Sequence, residues 1–174
     1  MVDLKSFIRN VPDFPKKGIG FKDITPLLKD ARAFQVAIKD LCIPYQDQKI
    51  DVVVGIESRG FILGGAAAIE LGVGFVPARK PGKLPAATWK EEYDLEYGTD
   101  AIEIHQDGIQ KGMHVLLVDD LLATGGTAAA TIRLIEKLEG EVIGVAFLIE
   151  LSFLQGREKI NAIPIHALID FPLE

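Results

Sequence analysis

The residues best placed to do chemistry stand together in Asp119-Asp120-Leu121-Leu122-Ala123-Thr124-Gly125-Gly126-Thr127. Successive N–H groups of a tight glycine-containing turn converge on an anion. Thr124 and Thr127 add hydroxyl donors, while Gly125 and Gly126 let the backbone approach a ligand closely. The chemistry implied is a phosphate cradle. It is not a Walker A loop, because the Gly-Lys-Ser/Thr ending is missing, and its glycine spacing is not that of a dinucleotide fingerprint. Two carboxylates would repel a phosphate, so the partners expected for Asp119 and Asp120 are neutral hydroxyls or a metal-bound group. A sugar carrying the phosphate supplies two adjacent hydroxyls. Alternatively, either acid caps a turn or pairs within the protein. Neighbours on a regular strand point to opposite faces, so both acids serve one ligand only if the strand has already ended at Asp119.

The elements around the loop say where it sits. The apolar run from Met113 to Val118 reads as a buried strand, and Thr127 to Leu138 as a helix with Ile132, Leu134, Ile135 and Leu138 at its apolar positions. In an open parallel sheet this places the loop at the carboxyl end of a strand, where such sheets bind ligands, beside a helix N-terminus that favours an anion. Further strands are expected at 50–56, 74–78, 141–150 and 163–168, with helices at 31–45 and 61–71. The strand at 50–56 ends in a second polar tip, Glu57-Ser58-Arg59-Gly60. Residues 93–104 read as two strands about a turn at Gly98, whereas 83–89 show no period. Asp3 to Arg9 suggests a short helix. Three prolines and two glycines between Pro12 and Pro26 leave little room for regular structure, yet Phe14, Ile19, Phe21 and Ile24 give that segment an apolar surface fit to pack over something. The expectation is an α/β fold: one domain spanning 1–174, a mostly parallel twisted sheet with helices on both faces, a small N-terminal hood (1–30) and a mobile loop (81–104).

Composition narrows the function classes. The 174 residues are 48% hydrophobic and 25% charged, with a formal net charge of −6. The acidic balance argues against a broad nucleic-acid surface, and no apolar run approaches the ~20 residues of a membrane span. The first residues lack the basic-then-apolar pattern of a secretion signal. Cys42 is the only cysteine, so no internal disulfide forms and a cytoplasmic location is expected. Cys42 itself reads as buried packing. His105, His114 and His166 lie in or beside strand patterns with no metal-pair spacing and read as structural. Trp89 reads as loop packing.

The stretch Val115 to Thr127 resembles the phosphoribosyl pyrophosphate (PRPP) signature of type I phosphoribosyltransferases, and its Leu121-Leu122-Ala123 form resembles the adenine branch of that family. Phe14-Pro15, Phe21-Lys22-Asp23-Ile24-Thr25-Pro26, Glu57-Ser58-Arg59-Gly60-Phe61, Arg79-Lys80-Pro81-Gly82-Lys83-Leu84-Pro85, Leu95-Glu96-Tyr97-Gly98 and Gly156-Arg157-Glu158-Lys159 follow in the family's order over nearly the whole chain. The resemblance implies transfer of the phosphoribosyl group from PRPP to adenine, giving AMP and pyrophosphate in purine salvage. It implies that Ala123, Thr124, Gly125, Gly126 and Thr127 hold the 5′-phosphate, and that Asp119 and Asp120 receive the ribose hydroxyls. Arg59, Arg79, Lys80 and Lys83 would serve the pyrophosphate. Backbone groups of Gly20 and Lys22 would meet the adenine edge, with Phe21 and Leu121 on its two faces. Glu96 would assist proton transfer, and Tyr97 would ride on the mobile loop. Mg²⁺ is implied as a cofactor carried on PRPP and pyrophosphate, with no dedicated metal ligands, and the assembly implied is a homodimer with Arg79 to Lys83 near the subunit contact. Taken without the resemblance, Glu96 is an exposed hairpin carboxylate.

The physical reading agrees at several points. Displacing pyrophosphate builds positive charge on the sugar and negative charge on the leaving group, which Arg, Lys and Mg²⁺ stabilise, and a lid that excludes water protects the reactive sugar. The family pattern commonly has Arg where Lys22 stands and a larger apolar residue where Gly20 stands; recognition of the base by main chain tolerates both. A same-fold alternative is transfer to hypoxanthine, guanine, xanthine or orotate. A 6-oxo purine calls for a donor near the loop after the acids, and that place holds Leu121 and Leu122. A second alternative is a regulator that senses PRPP without turning it over, which usually carries an added DNA-binding domain. A purely structural role leaves the acidic pair and the basic loops unexplained.

Overall fold

A computed structural model describes residues 2–18, 20–94 and 98–173. The chain opens with a short 3₁₀ helix, Leu4–Phe7, inside the stretch where a short helix was expected, and then a strand, Arg9–Val11 (β1), that takes over its last residue. β1 pairs antiparallel with Phe21–Asp23 (β2), Asn10 standing opposite Lys22. The hood is therefore more regular than its proline content suggests. The reason is long-range: Arg9 donates to Asp23 Oδ2 from Nε at 3.0 Å and Nη2 at 2.7 Å, and Asp23 Oδ1 accepts from the Thr25 amide at 2.9 Å. That last bond leads into Thr25–Lys29 (α1), whose Pro26 sits in the first turn, where its missing N–H is no loss. Ala31–Cys42 (α2) starts at Asp30, whose carboxylate accepts from the Ala33 amide at 2.8 Å. It stops just short of Pro44, with Cys42 buried, as expected.

Val52–Ile56 (β3) is buried along its whole length, the mark of a central parallel strand covered on both faces. Gly60–Leu71 (α3) ends at Gly72 with φ of +70°, a left-handed cap, and returns to Gly74–Ala78 (β4). Thr88–Asp94 (β5) and Thr99–His105 (β6) form an antiparallel hairpin. Its first strand begins earlier than its pattern foretold. The side facing the protein carries Glu91 between Trp89 and Tyr93, and Glu91 is satisfied there by Arg133, with Nε at 2.7 Å. His114–Leu122 (β7), Gly126–Lys137 (α4), Glu141–Glu150 (β8) and Ile165–Asp170 (β9) complete the chain.

Five strands make one all-parallel sheet in the order β4-β3-β7-β8-β9. Leu116, Val118, Ala146 and Leu148 pack on one face against Ala37 and Leu41 of α2 and Leu63 and Ala67 of α3. Val115, Leu117, Val145 and Phe147 pack on the other against Ile132, Leu134 and Ile135 of α4 and Ile102 and Ile104 of β6. The sheet is thus sandwiched by helices, as the alternating pattern foretold, with the β5–β6 arm sharing one face with α4. Among the described residues no helix is long and apolar enough to cross a membrane. The three histidines bond to the protein itself: His114 Nδ1 to Asp51 Oδ2 at 2.9 Å, His166 Nε2 to the Asp40 carbonyl at 3.0 Å, and the Ala86 amide to His105 Nε2 at 3.3 Å.

Candidate active site

The loop after β7 is built as a cradle. Gly125 takes φ of +76° and stands just before α4, and no side chain caps that helix. Among the described residues its first N–H groups therefore have no capping side chain, and they stand in the field of the helix dipole. Thr124 and Thr127 line the same small depression, together with Asp119 and Phe147.

β7 does not stop at Asp119 but runs on to Leu122, so the expectation of an early strand end fails; the two carboxyls nonetheless come together at the head of α3, Asp119 Oδ1 beside Gly60 and Asp120 Oδ2 beside Arg59. The register to β8 passes over Asp120, pairing Asp119 with Phe147 and then Leu121 with Ile149. Leu121 joins the apolar cluster of Leu116 and Val118. The Asp119 carboxylate turns back to accept from the Asp120 amide at 2.8 Å. A Cβ on Gly60 would lie 2.7 Å from Asp119 Oδ1, so only glycine at the head of α3 leaves that oxygen room. Asp120 is 6% exposed. Arg59 Nη2 stands 2.7 Å from its Oδ2 in an ion pair, but outside hydrogen-bond geometry, so that among the described residues this buried oxygen has no hydrogen-bond partner. Burial, and then the charge of Asp120, push the Asp119 carboxyl well above the usual carboxylate range. Burial also raises Asp120, against the pull of Arg59.

Arg59 links this pair to the hood. Its guanidinium lies 4.8 Å from the Phe21 ring centroid, and Nη1 donates to the Lys22 carbonyl at 3.4 Å. Phe14 packs edge-on to Phe21 with ring centroids 5.1 Å apart. The Lys22 side chain points away from the site: it is 6% exposed, donates to Asn10 Oδ1 at 3.0 Å and lies over the Phe171 ring. Lys22 thus faces the site through its backbone, and the residue type there is set by the hood.

The basic loop after β4 is gathered by one carboxylate, Glu57, at the end of β3. Glu57 accepts from Arg79 Nε at 3.3 Å, from the Lys80 amide at 3.0 Å and from Lys83 Nζ. Burial pushes its carboxyl up, but the Lys83 ammonium, the Lys80 amide and the Arg79 guanidinium outweigh it and hold it at about 2. Lys80 turns instead to the arm, pairing with Asp100 and donating to the Tyr93 hydroxyl at 2.8 Å. Arg79 and Glu103 exchange backbone bonds at 2.9 and 2.7 Å, tying the basic loop to β6.

The structure therefore brings Phe21, the Lys22 carbonyl, Arg59, Asp119, Asp120 and the 123–127 loop to one crevice at the carboxyl edge of the sheet, with Arg79 and Lys83 drawn to Glu57 two residues before Arg59. Glu96 and Tyr97 lie outside the described residues. Glu57 and Gly60 were quoted in the sequence only as a motif; an acid two residues from an arginine gives no sign that it collects cations from another loop. Gly156, too, was quoted only as part of a motif, with no sign of its contact. A Cβ there would lie 2.2 Å from the Ala123 carbonyl oxygen, a contact between residues 33 positions apart in the chain.

The match to known proteins is extensive. The family model described as "Phosphoribosyl transferase domain" matches residues 27–170. The adenine phosphoribosyltransferase of Thermotoga neapolitana is 60% identical over 168 residues, covering 97% of this chain and 99% of that protein. The crystal structure of adenine phosphoribosyltransferase from Rhodothermus marinus superposes with a TM-score of 0.94 at 57% identity, covering 97% of this chain and 96% of that one. The Saccharomyces cerevisiae enzyme, solved in complex with adenine and an imino-altritol bisphosphate, superposes with a TM-score of 0.90 at 44% identity, covering 95% and 96%.

Proposed function

The chain belongs to the adenine phosphoribosyltransferase family, and we propose that it transfers the phosphoribosyl group of PRPP to adenine, releasing AMP and pyrophosphate in purine salvage. The observation that carries the reading is the uncapped start of α4 beside two strand-end carboxylates: one surface offers donors for a sugar phosphate and acceptors for the sugar's hydroxyls.

On this reading Ala123 to Thr127 hold the 5′-phosphate through backbone N–H groups and the two threonine hydroxyls. Asp119 and Asp120 accept from the ribose hydroxyls, a role supported by an Asp120 oxygen that has charge beside it but no hydrogen-bond donor among the described residues. Arg79, Lys80 and Lys83, with Arg59, meet the pyrophosphate as charge develops on it; a guanidinium binds phosphate oxygens bidentately. Adenine lies against Phe21 and Leu121, its edge met by backbone groups of Gly20 and Lys22. A flat ligand entering there shares the Phe21 face with Arg59, whose guanidinium already rests on that ring. As N9 of adenine bonds to C1′, the C1′–pyrophosphate bond breaks and the purine loses a proton, which Glu96 helps to carry. Tyr97 belongs to the same loop.

Mg²⁺ fits this donor set. It takes oxygen ligands, keeps several waters and usually binds largely through substrate phosphates; PRPP and pyrophosphate would carry it here, with no side chain of this chain dedicated to it. Bound there, it neutralises charge on the leaving pyrophosphate.

The assembly we propose is a homodimer. α3 is apolar on every side but for Glu70, and it leaves Ile62 and Ile69 45% and 83% exposed, with Phe75 of the edge strand β4 36% exposed. A helix this apolar calls for cover, and a second copy supplies it next to the 79–83 loop. A cytoplasmic location is in keeping with a chain whose one cysteine is buried and unpaired.

The test is incubation with PRPP and Mg²⁺, offering adenine, hypoxanthine, guanine and orotate separately. Nucleotide is expected from adenine alone; product from another base instead, or from none, refutes the reading.

A further inference from the structure

Directly behind the cradle, β8 ends at Glu150, paired in register with Leu122, and the Leu151 amide donates to the Leu122 carbonyl at 2.9 Å. The chain then winds through two 3₁₀ turns, Ser152–Leu154 and Gly156–Ile160. At the head of the second, Gly156 lies against the cradle with no side chain intervening. A Cβ on Gly156 would fall 2.2 Å from the Ala123 carbonyl oxygen and 3.0 Å from the Gly125 nitrogen, and a Cβ on Gly125 would fall 2.4 Å from the Gly156 carbonyl oxygen. Two backbones thus meet at a point where either one gaining a methyl must displace the other.

What holds Gly156 there is the next residue. Arg157 grips Glu150 through both prongs of its guanidinium, Nε to Oε1 and Nη2 to Oε2, each at 2.6 Å, and Nη1 reaches the Ile165 carbonyl at 3.4 Å. The Glu150 side chain is 7% exposed. A carboxylate buried beside an anion cradle works against the anion unless it is neutralised, and a bidentate guanidinium both neutralises it and fixes one geometry.

We propose that Glu150, Arg157 and Gly156 are positioning residues for the cradle: the ion pair seats Gly156 behind Ala123 and Gly125 and so sets the shape that the 5′-phosphate meets. The proposal rests on the reading that the 123–127 loop holds that phosphate. Displacement of a binding group by about 1 Å costs up to roughly a hundredfold, so the effect is expected to fall on one end of the substrate.

The experiment compares the full chain with Gly156→Ala, Arg157→Ala and Arg157→Lys, titrating each with ribose 5-phosphate and, separately, with inorganic pyrophosphate and Mg²⁺, and checking folding by thermal unfolding. The expected result is a Kd for ribose 5-phosphate raised at least tenfold in Gly156→Ala and Arg157→Ala, with that for pyrophosphate changed less than threefold. In turnover, KM for PRPP rises while KM for adenine holds. Arg157→Lys keeps the charge but not the fork, and falls between wild type and Arg157→Ala; it also carries the test should Gly156→Ala not fold. Equal weakening of both ligands, or no weakening of ribose 5-phosphate in folded variants, overturns the proposal. Wild-type chain that binds pyrophosphate but not ribose 5-phosphate would instead overturn the cradle reading beneath it.

Discussion

Glu57 offers the sharpest quantitative test of the site's electrostatics. Its carboxyl, 9% exposed, is held at about 2 against an ordinary 4.5. That difference corresponds to roughly 3 kcal/mol of preference for the charged form in the folded chain. Because the folded value is depressed, this stability is fully present above about pH 4.5 and is lost as pH falls toward 2. Glu57→Gln keeps the shape and one acceptor but removes the charge that Lys83 and Arg79 share, so a loss of about 2 to 3 kcal/mol is expected near neutral pH. With a urea m-value of roughly 2 kcal/mol/M, the midpoint falls by about 1 to 1.5 M. Unfolding curves for both chains, at one protein concentration, would be compared near pH 7 and near pH 3.5. The gap should narrow by more than about 1 kcal/mol on acidification, since the wild type is then losing the same interaction. A gap below about 0.5 kcal/mol at neutral pH, or one of constant size, would refute the argument that Glu57 is the organising charge of the basic loop.

Three further outcomes are expected. Asp119 and Asp120 are both raised, so they take up protons above the ordinary carboxylate range and ribose 5-phosphate binding weakens there as pH falls; Asp120→Asn removes the like charge and moves the acid limb of Asp119 to lower pH, which calorimetric titration across pH would detect and an unmoved limb would contradict. Gly125→Ala places a Cβ on a residue with φ of +76°, 2.4 Å from a carbonyl oxygen, and should lower Tm by about 5 to 10 °C, from roughly 1 to 2 kcal/mol of left-handed strain plus the overlap, with ribose 5-phosphate binding lost alongside; a Tm within 2 °C of wild type would contradict the contact. Ile69→Lys puts a charge on the most exposed apolar position of α3 and should shift the chain to monomer in light scattering at micromolar concentration, whereas an unchanged dimer mass would place the interface elsewhere.

The strands of the central sheet were legible because burial on both faces forces a continuous apolar, β-branched run, and Val52 to Ile56 and Val115 to Val118 carry that signature without reference to anything distant. The arm's first strand was not, because Glu91 on its inward side is acceptable only once Arg133 arrives from α4, forty-two residues later. β1 and β2 were hidden for the same reason. Each has three residues, too few for a period, and they owe their pairing to an ion pair between Arg9 and Asp23. In the site, the donors of the 123–127 turn could be read locally, since a glycine-rich turn before a helix is itself the cradle. The partners of its neighbours could not. That Arg59 meets Asp120 depends on β3 lying beside β7, and that Glu57 collects Arg79 and Lys83 depends on β4 lying beside β3. The misjudged end of β7 has a similar origin: pairing with β8 carries the strand past the two acids, through Leu121 with Ile149 and Leu122 with Glu150, although carboxylates in sequence look like a strand's end.

α4 acts as a gauge. Its first turn is the cradle, and farther along the same helix Arg133 grips Glu91 at 2.7 Å and the Glu92 carbonyl at 3.2 Å, while Lys137 lies 4.5 Å from the centre of the Trp89 ring. The arm is therefore mounted on the rod whose end forms the proposed anion seat. Twisting or breathing of the five strands carries both along together. The span between arm and seat is set by the rise of a helix, about 1.5 Å per residue, which is among the stiffest lengths a protein can build, so two regions far apart in the chain keep a calibrated separation while the sheet beneath them flexes.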